Sequence, residues 1–420
     1  MRMGLARRQF LTAAVVSGAA GAVAACSKGS TGSDGSISLE FWTISLQPTF
    51  NDYFNTLIAD YEAANPGVTV NWTDLPYDSI EEKLITASAG GSAPDVVNLN
   101  TEFALTMAGK DAVADITAIT TEEERGVYIQ SLLSSAQLGD AIYAFPWYAS
   151  PNIMIYNKSL FETAGIAQTP TTYDEAIALA AQMKSSTGAY LFNPPTLYNL
   201  FNEEGVDILN EDKSAATFDS ADAVDVLKKF KAQTDVDNIP RTEWGSWDVE
   251  LRLFETGDLA IINSSSASVA RIKDEAPDVC EQIGIAMPMT GASGVSRNPL
   301  MNLVIPSKSS QQEAAARFAL YVTNDANQLS FSQEAGIFPS TVAASKDPFF
   351  ASDTSTIEGQ ASAMCAQASL TSADFSLGVE GQSTIADEVN KAYEAAIVNG
   401  DDVAASLAAA AGSVNMILGR

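Results

Sequence analysis

The chain has 420 residues, 46% of them hydrophobic, and its 23 basic and 52 acidic side chains give a formal charge of −29. This acidity would repel phosphate backbones, which argues against nucleic acid as a partner, and the length is too great for one core, so two lobes are expected. Histidine is absent, which excludes Ser-His-Asp and Cys-His catalysis and almost every zinc site, so no metal or cofactor is expected.

The N-terminal segment has the features of an export signal. Arg7 and Arg8 precede Phe-Leu and an apolar stretch, as in a twin-arginine signal, and Val23-Ala-Ala-Cys26 is similar to a lipoprotein cleavage box. The apolar part is shorter than the roughly 20 residues that span a bilayer. We therefore expect residues 1–25 to be a signal peptide, Cys26 to carry lipid, and residues 26–36 to form a flexible tether. The alternative is an ordinary disordered terminus without lipid.

Strands and helices alternate over the first part of the chain after the tether. The pattern predicts a strand from Ile37 to Trp42, a helix carrying Phe50 to Tyr61, and a second strand from Val68 to Trp72. A capping box over residues 79–82 starts another helix, and a third strand follows over residues 94–99. This βαβαβ order predicts an α/β fold with an open, largely parallel sheet.

The remaining chain continues the alternation without a repeat of fixed period. Thr172 and Ser310 are predicted to cap helices over 175–183 and around Phe318. Another helix is predicted around Leu227, and the chain closes with Ala-rich helical sequence over 384–418. Strands are predicted over 141–145, 152–156, 259–263, 284–287 and 302–305.

Several phrases in this order resemble the extracellular solute-binding proteins of family 1, the carbohydrate receptors of ABC transporters related to maltose-binding protein. The phrases are APDVV at 93–97, YAFPW at 143–147, IYNKSLFETAG at 155–165 with PTTYDE at 170–175, FETGDLAII at 254–262, and LVIPSK at 303–308 with GIFP at 336–339. One departure is the turn at 263–266, where Asn-Ser-Ser-Ser replaces the aromatic that the family commonly has.

The resemblance implies a two-lobe fold of the type II periplasmic-binding-protein kind, with an open α/β sheet in each lobe and the ligand cleft at the hinge. Lobe one would comprise residues 37–140 and 264–308, and lobe two residues 141–263 and 309–420. The protein would be a monomer, lipid-anchored through Cys26 on the extracytoplasmic face of a bacterial cell membrane. It would pass a carbohydrate to the permease subunits of an ABC transporter without chemistry.

A carbohydrate site needs flat rings for apolar C–H faces and polar partners for hydroxyl groups. The strand ends provide Trp42, Thr43, Asn100, Thr101, Glu102, Asn263 and Ser264. Glu102 could instead be a carboxylate favoured by a helix N-terminus. Tyr198, Trp244 and Trp247 are loop candidates, although a tryptophan could simply cover the core. Arg297 in a cleft would favour an acidic or phosphorylated ligand.

The segment at the crossing between lobes adds Trp147, Tyr148 and Ser150. Adjacent side chains on a strand point to opposite faces, so we expect Trp147 at the core or rim and Tyr148 or Ser150 within reach of the ligand. Both rings could instead serve packing alone.

Two other functions remain open. The same fold could bind a polyol, a glycerophosphodiester, a peptide or a metal chelate. A secreted glycoside hydrolase would need two carboxylates about 5 to 10 Å apart across a sugar bond. Cys280 and Cys365 fall in different lobes under the family's division, where a bond between them would impede closure, so both are expected to be thiols.

Overall fold

A computed structural model describes residues 36–76, 79–241, 247–352, 354–379 and 381–419. The predicted signal peptide, Cys26 and nearly all of the tether lie outside the described residues. The strands, in chain order, are β1 (Ile37–Ile44), β2 (Val68–Leu75), β3 (Val96–Asn100), β4 (Gln137–Leu138), β5 (Ala141–Ile142), β6 (Phe145–Ala149), β7 (Ile153–Asn157), β8 (Tyr190–Phe192), β9 (Leu259–Ser264), β10 (Ile283–Ala286), β11 (Ser296–Arg297), β12 (Leu300–Val304), β13 (Phe338–Pro339) and β14 (Ser372–Ala373).

The helices cover the two larger sheets. They are α1 (Asn51–Ala64), α2 (Ile80–Ala89), α3 (Thr101–Gly109), α4 (Glu122–Arg125), α5 (Gln130–Ser135), α6 (Lys158–Ala164), α7 (Tyr173–Thr187), α8 (Leu197–Glu204), α9 (Ala221–Asp235), α10 (Trp247–Glu255), α11 (Ala267–Glu275), α12 (Pro277–Cys280), α13 (Gln312–Val322), α14 (Asp325–Ala335), α15 (Phe349–Ser352), α16 (Ile357–Ala368), α17 (Gln382–Tyr393) and α18 (Val403–Ile417). No helix in the described ranges combines the length and apolar character needed to cross a membrane.

The predicted α/β fold is confirmed. A six-stranded sheet has the order β13-β6-β12-β3-β1-β2, in which β1 is parallel to β2 and β3 while β12 is antiparallel to β3 and β6. A four-stranded sheet has the order β10-β7-β9-β8, in which only the β8–β9 pair is parallel. The first three strands therefore form the predicted parallel arrangement, and β12 runs antiparallel to its neighbours β3 and β6.

Of the three predicted helix caps, one forms. The Thr172 hydroxyl accepts a hydrogen bond from the Glu175 amide at 3.2 Å, which satisfies a free N–H of α7. The predicted box at Ser79 is wrong, because that hydroxyl donates to the Pro76 carbonyl at 3.1 Å and makes no cap bond. The box at Ser310 is also wrong, because α13 begins two residues later without a side-chain cap.

A cluster of rings fills the core under the six-stranded sheet. Phe41, Phe54, Trp147, Phe318 and Phe331 are each at most 1% exposed. The Trp147 ring stacks on Phe331 with centroids 5.5 Å apart and an interplanar angle of 20°. These contacts tie β1, α1 and β6 to α13 and α14, so one core joins segments from distant parts of the chain.

Several segments pair or pack with the sheet that the predicted lobe ranges do not give them. Strands β6 and β13 belong to the range predicted for lobe two, yet both pair in the six-stranded sheet. Helices α13 and α14 belong to the range predicted for lobe two, yet Phe318 and Phe331 lie in the core of the six-stranded sheet. Strand β10 belongs to the range predicted for lobe one, yet it pairs with β7 in the four-stranded sheet. The physical reason is that core packing and strand pairing, rather than position along the chain, decide which sheet a segment joins.

The two cysteines lie close to the same sheet. Cys280 and Cys365 are free thiols. Both contact one apolar cluster against the four-stranded sheet, with Cys365 4% exposed and Cys280 partly buried. Both thiols therefore lie against the same sheet, and the lobe assignment of the two cysteines stays a prediction.

Candidate functional site

Two adjoining chambers of about 470 and about 410 Å³ lie among segments that connect the two larger sheets. They share walls formed by Ser150, Thr196, Asn199, Arg297 and Pro299. We call the larger one the Glu102 chamber, because Asn100, Thr101, Glu102, Tyr198, Asp374 and Asp387 also line it. The smaller one is the Glu250 chamber, which is also lined by Tyr173, Asn193, Glu203, Glu250, Asn263 and Ser264. Chambers of this size accommodate small molecules.

The ends of strands bring many predicted residues to these walls. Asn100 ends β3, and its side-chain oxygen caps α3 by accepting from the Phe103 amide at 2.7 Å. Glu102 lies in the first turn of that helix and also lines the chamber. The helix N-terminus can therefore favour its carboxylate while the same side chain faces the chamber. The chambers bring together eight predicted residues, namely Asn100, Thr101, Glu102, Ser150, Tyr198, Asn263, Ser264 and Arg297.

Asp374 connects several parts of the Glu102 chamber. It accepts hydrogen bonds from the Thr101 hydroxyl at 2.8 Å and from the Leu300 amide at 3.1 Å. Burial raises the pKa of Asp374 to about 6, although the Thr101 hydrogen bond and the Arg297 charge oppose this shift. The carboxyl group thus joins the start of α3 to β12 at the floor of the chamber.

Tyr198 forms the neighbouring wall. Its hydroxyl donates to the Phe375 carbonyl at 2.5 Å, and 6% of the residue is exposed. Burial raises its pKa, so the phenol stays protonated at physiological pH. This hydrogen bond fixes a ring beside the polar groups of the chamber.

Two carboxyl groups in the Glu250 chamber have raised pKa values. Burial raises the pKa of Glu203 to about 7, although it accepts a hydrogen bond from the Tyr173 hydroxyl at 2.5 Å. Burial also raises the pKa of Glu250 to about 7, although Asn193 donates to it at 2.7 Å. Perturbed carboxyl groups gathered in one cavity are typical of functional sites.

Arg297 is the only lysine or arginine among the described residues that line the two chambers. Its charge lowers the pKa values of Glu203, Asp374 and Glu102, in each case against a larger effect of burial. The guanidinium is therefore already opposed by several carboxyl groups. This arrangement disfavours an acidic or phosphorylated ligand, since such a ligand would have to approach those groups as well.

Four predicted residues lie away from the chambers. Thr43 is 0% exposed and donates to Asp74 at 2.6 Å. Trp147 belongs to the ring core described above, which confirms the expectation of a core position, and Tyr148 packs edge-on against Phe331 with centroids 5.6 Å apart. Trp42 lines a separate groove beside α2, together with Lys83 and other residues.

Two predicted tryptophans remain without a structural assignment. Trp244 and the side chain of Trp247 lie outside the described residues, and only the backbone of Trp247 is assigned, as the start of α10. Their predicted roles stay predictions.

Five residues that line the chambers were not predicted from the sequence, namely Thr196, Asn199, Glu203, Glu250 and Asp374. The sequence around Thr196 could have indicated the start of a helix, since its hydroxyl caps α8 by accepting from the Asn199 amide. No local sequence pattern could have identified Glu250 and Asp374, because they reach the chambers through tertiary packing from distant segments.

The sequence of this chain is similar to those of known binding proteins. The family model for bacterial extracellular solute-binding proteins matches residues 47–329. A protein of Brucella abortus described as a binding protein is 26% identical over 380 residues, covering 87% of this chain and 90% of the relative. The arabinooligosaccharide-binding protein of Halalkalibacterium halodurans is 21% identical over 315 residues, covering 70% and 69%.

A solved structure agrees with these sequence matches. The crystal structure of a Synechococcus protein described as an oligosaccharide periplasmic-binding protein superposes with a TM-score of 0.83 and 26% identity. The superposition covers 91% of this chain and 99% of that one. The periplasmic-binding-protein fold expected from the resemblance is therefore confirmed.

Proposed function

The chain belongs to the family of bacterial extracellular solute-binding proteins, and from this membership we propose that it is a lipid-anchored receptor that captures a sugar or oligosaccharide. The receptor works as a monomer on the extracytoplasmic face of the cell membrane and delivers its ligand to the permease subunits of an ABC importer. Residues 1–26 support the anchor, because an export signal and a lipoprotein box occur in the required order.

The shared wall of the two chambers is the observation that carries this proposal. Ser150 and Thr196 offer hydroxyl groups, Asn199 an amide and Arg297 a guanidinium, all facing the same space. Groups of these kinds donate to and accept from the hydroxyl groups on the rim of a sugar. Tyr198 supplies a ring beside them, and the names of the arabinooligosaccharide and oligosaccharide relatives support the same ligand class.

The proposal extends to a two-lobe movement about the connections between the sheets. The chain passes from β6 of one sheet to β7 of the other within a few residues, and Ser150 and Asn152 in this connection line the chambers. Short connections of this kind act as hinges in receptors that close around ligands. A ligand in the chambers would then contact residues from both sheets and favour the closed state.

A thermal-shift panel of monosaccharides, disaccharides, oligosaccharides, polyols and sugar phosphates tests the ligand class. The melting temperature should rise with at least one uncharged sugar, because a ligand that binds only the folded state stabilises it. If the melting temperature rises only with polyols or only with sugar phosphates, that class of compound is the ligand and the proposed sugar is not.

The glycoside hydrolase alternative is tested on the same samples. Glu203 and Glu250 share one chamber and have raised pKa values, which is a property expected of a general acid. The proposed receptor predicts that mass spectrometry recovers the oligosaccharide intact after prolonged incubation. Shortened products would establish hydrolysis instead.

The Asn199→Ala variant should weaken binding of the best sugar by about tenfold or more, since a buried polar contact to a ligand contributes about 1 to 3 kcal/mol. Asn199 lines both chambers and is half-buried, so its truncation leaves the core intact. Isothermal titration calorimetry measures the change in Kd.

The matched control is Asn210→Ala, which removes an amide from a turn outside both chambers. Unchanged Kd for Asn199→Ala, or an equal loss for the control, would contradict the assignment of the site.

A further inference from the structure

Carboxyl groups outnumber cations on the walls of the two chambers. Glu102, Asp374 and Asp387 line one chamber, and Glu203 and Glu250 line the other. Arg297, on the shared wall, is the one cation among the described lining residues. A neutral sugar needs no such excess, because amides and hydroxyl groups can pair with its rim equally well.

Two carboxyl groups and an amide oxygen provide acceptors in the Glu250 chamber. The Tyr173 hydroxyl and the Asn193 amide already donate to Glu203 and Glu250. Glu203 also accepts a hydrogen bond from the backbone amide of Arg297. Each carboxylate offers about four acceptor positions, so both carboxylates keep capacity for a further donor. The side-chain oxygen of Asn263 is buried in the same wall without a hydrogen-bond partner. Unsatisfied buried acceptors cost free energy until a donor arrives.

We propose that the Glu250 chamber receives the protonated amine of a basic, hydroxyl-bearing solute such as an amino sugar. This inference rests on the proposed receptor function and specifies its ligand. An ammonium group carries one positive charge and three donors. Glu203, Glu250 and Asn263 are the acceptors that match it, while the shared wall with Asn199 and Ser150 pairs with hydroxyl groups.

Binding of an amine in this chamber depends on pH. Tyr173, Arg297 and Glu204 face Glu203, and Asn193 faces Glu250. Among the described residues that line this chamber, Arg297 is the one lysine or arginine, and its charge acts on Glu203. Both carboxyl groups have pKa values of about 7. As pH rises from about 5.5 to about 7, a larger fraction ionises, and attraction for an ammonium group increases. Affinity for an amino sugar whose amine stays protonated should rise by about tenfold over this interval, because the ionised fraction of a carboxyl group with a pKa of about 7 grows by about that factor.

The experiment compares three matched disaccharides by isothermal titration calorimetry. The free-amine disaccharide of glucosamine carries the amine, its N-acetylated form is neutral, and cellobiose has a hydroxyl group at the same position. Wild-type protein should bind the free amine at least about tenfold more tightly than either neutral sugar at about pH 7. The Glu250→Gln variant should lower that ratio by about tenfold, while Glu313→Gln, an exposed site on α13, should preserve it.

The outcomes separate this inference from the receptor function. Equal or tighter binding of neutral sugars, or a flat pH profile for the amine in wild-type protein, would overturn the amine inference and leave the receptor intact. Failure of every sugar in the wider panel would overturn the receptor function itself, and the inference with it.

Discussion

The Glu250→Gln variant should be more stable than the wild-type protein at about pH 8 and equally stable at about pH 5. Burial raises the pKa of Glu250 from 4.5 to about 7. The folded state therefore binds this proton more tightly than the unfolded state, so the free energy of unfolding falls as pH rises through this interval. Above about pH 7, the full loss in the free energy of unfolding has occurred. Glutamine cannot ionise, and its side-chain oxygen can still accept from Asn193.

The size of the effect follows from the shift in pKa. Each pKa unit corresponds to about 1.4 kcal/mol, so a shift of this kind costs the wild-type protein about 3 kcal/mol at pH 8. The same reasoning applies to Glu203→Gln, because burial raises the pKa of Glu203 to about 7 and the Tyr173 hydroxyl can donate to glutamine. The protein thus accepts a loss of stability at neutral pH to keep carboxyl groups in the chamber.

Urea unfolding from about pH 5 to about pH 8 measures this prediction. Glu313→Gln serves as the control, since Glu313 is exposed and its replacement should reproduce the wild-type profile. Parallel loss of stability in wild-type and Glu250→Gln proteins would show that Glu250 is not the group responsible.

The Trp147→Ala variant should lose about 3 to 5 kcal/mol of stability, the cost of deleting a large buried ring. Trp147 is 1% exposed and contacts Phe41, Phe54 and Phe331, whose centroids lie 5.5 to 6.3 Å away. The lost contacts join β6 to β1, α1 and α14, so the cavity left behind weakens the whole core of the six-stranded sheet.

Binding measurements distinguish a core ring from a ligand contact. The Trp147→Phe variant keeps most of the buried area and should bind the best sugar within about threefold of wild type. Tyr148→Ala is the neighbouring control, and because Tyr148 is half-buried, it should cost less stability than Trp147→Ala. A large loss of affinity in Trp147→Phe with little change in stability would place this ring in the site instead.

Local pattern was sufficient to predict several elements. The apolar spacing from Phe50 to Tyr61 predicted α1, and alternation predicted β1 and β2, because both periods are set by the geometry of a single segment. Asn100, Thr101 and Glu102, predicted from the end of a strand, line a chamber wall, since carboxyl ends of parallel strands meet at one edge. Their role as ligand contacts stays a prediction.

Features that depend on contacts between distant segments were not predicted. Strand β1 was predicted to end at Trp42 but continues to Ile44. Trp42 lines the groove beside α2, because burial depends on which helix covers that face. Glu250 and Asp374 come from a helix and an irregular segment far along the chain. Only tertiary packing brings them beside Arg297, so no local spacing could identify them.

A crystal structure of the complex with the tightest-binding sugar from the panel tests the central claim most directly. We predict an intact sugar in the two chambers, contacting Ser150, Asn199 and Arg297 on their shared wall, with no bond cleaved. A sugar bound only in the groove beside Trp42, or a hydrolysed product in the chambers, would contradict this account.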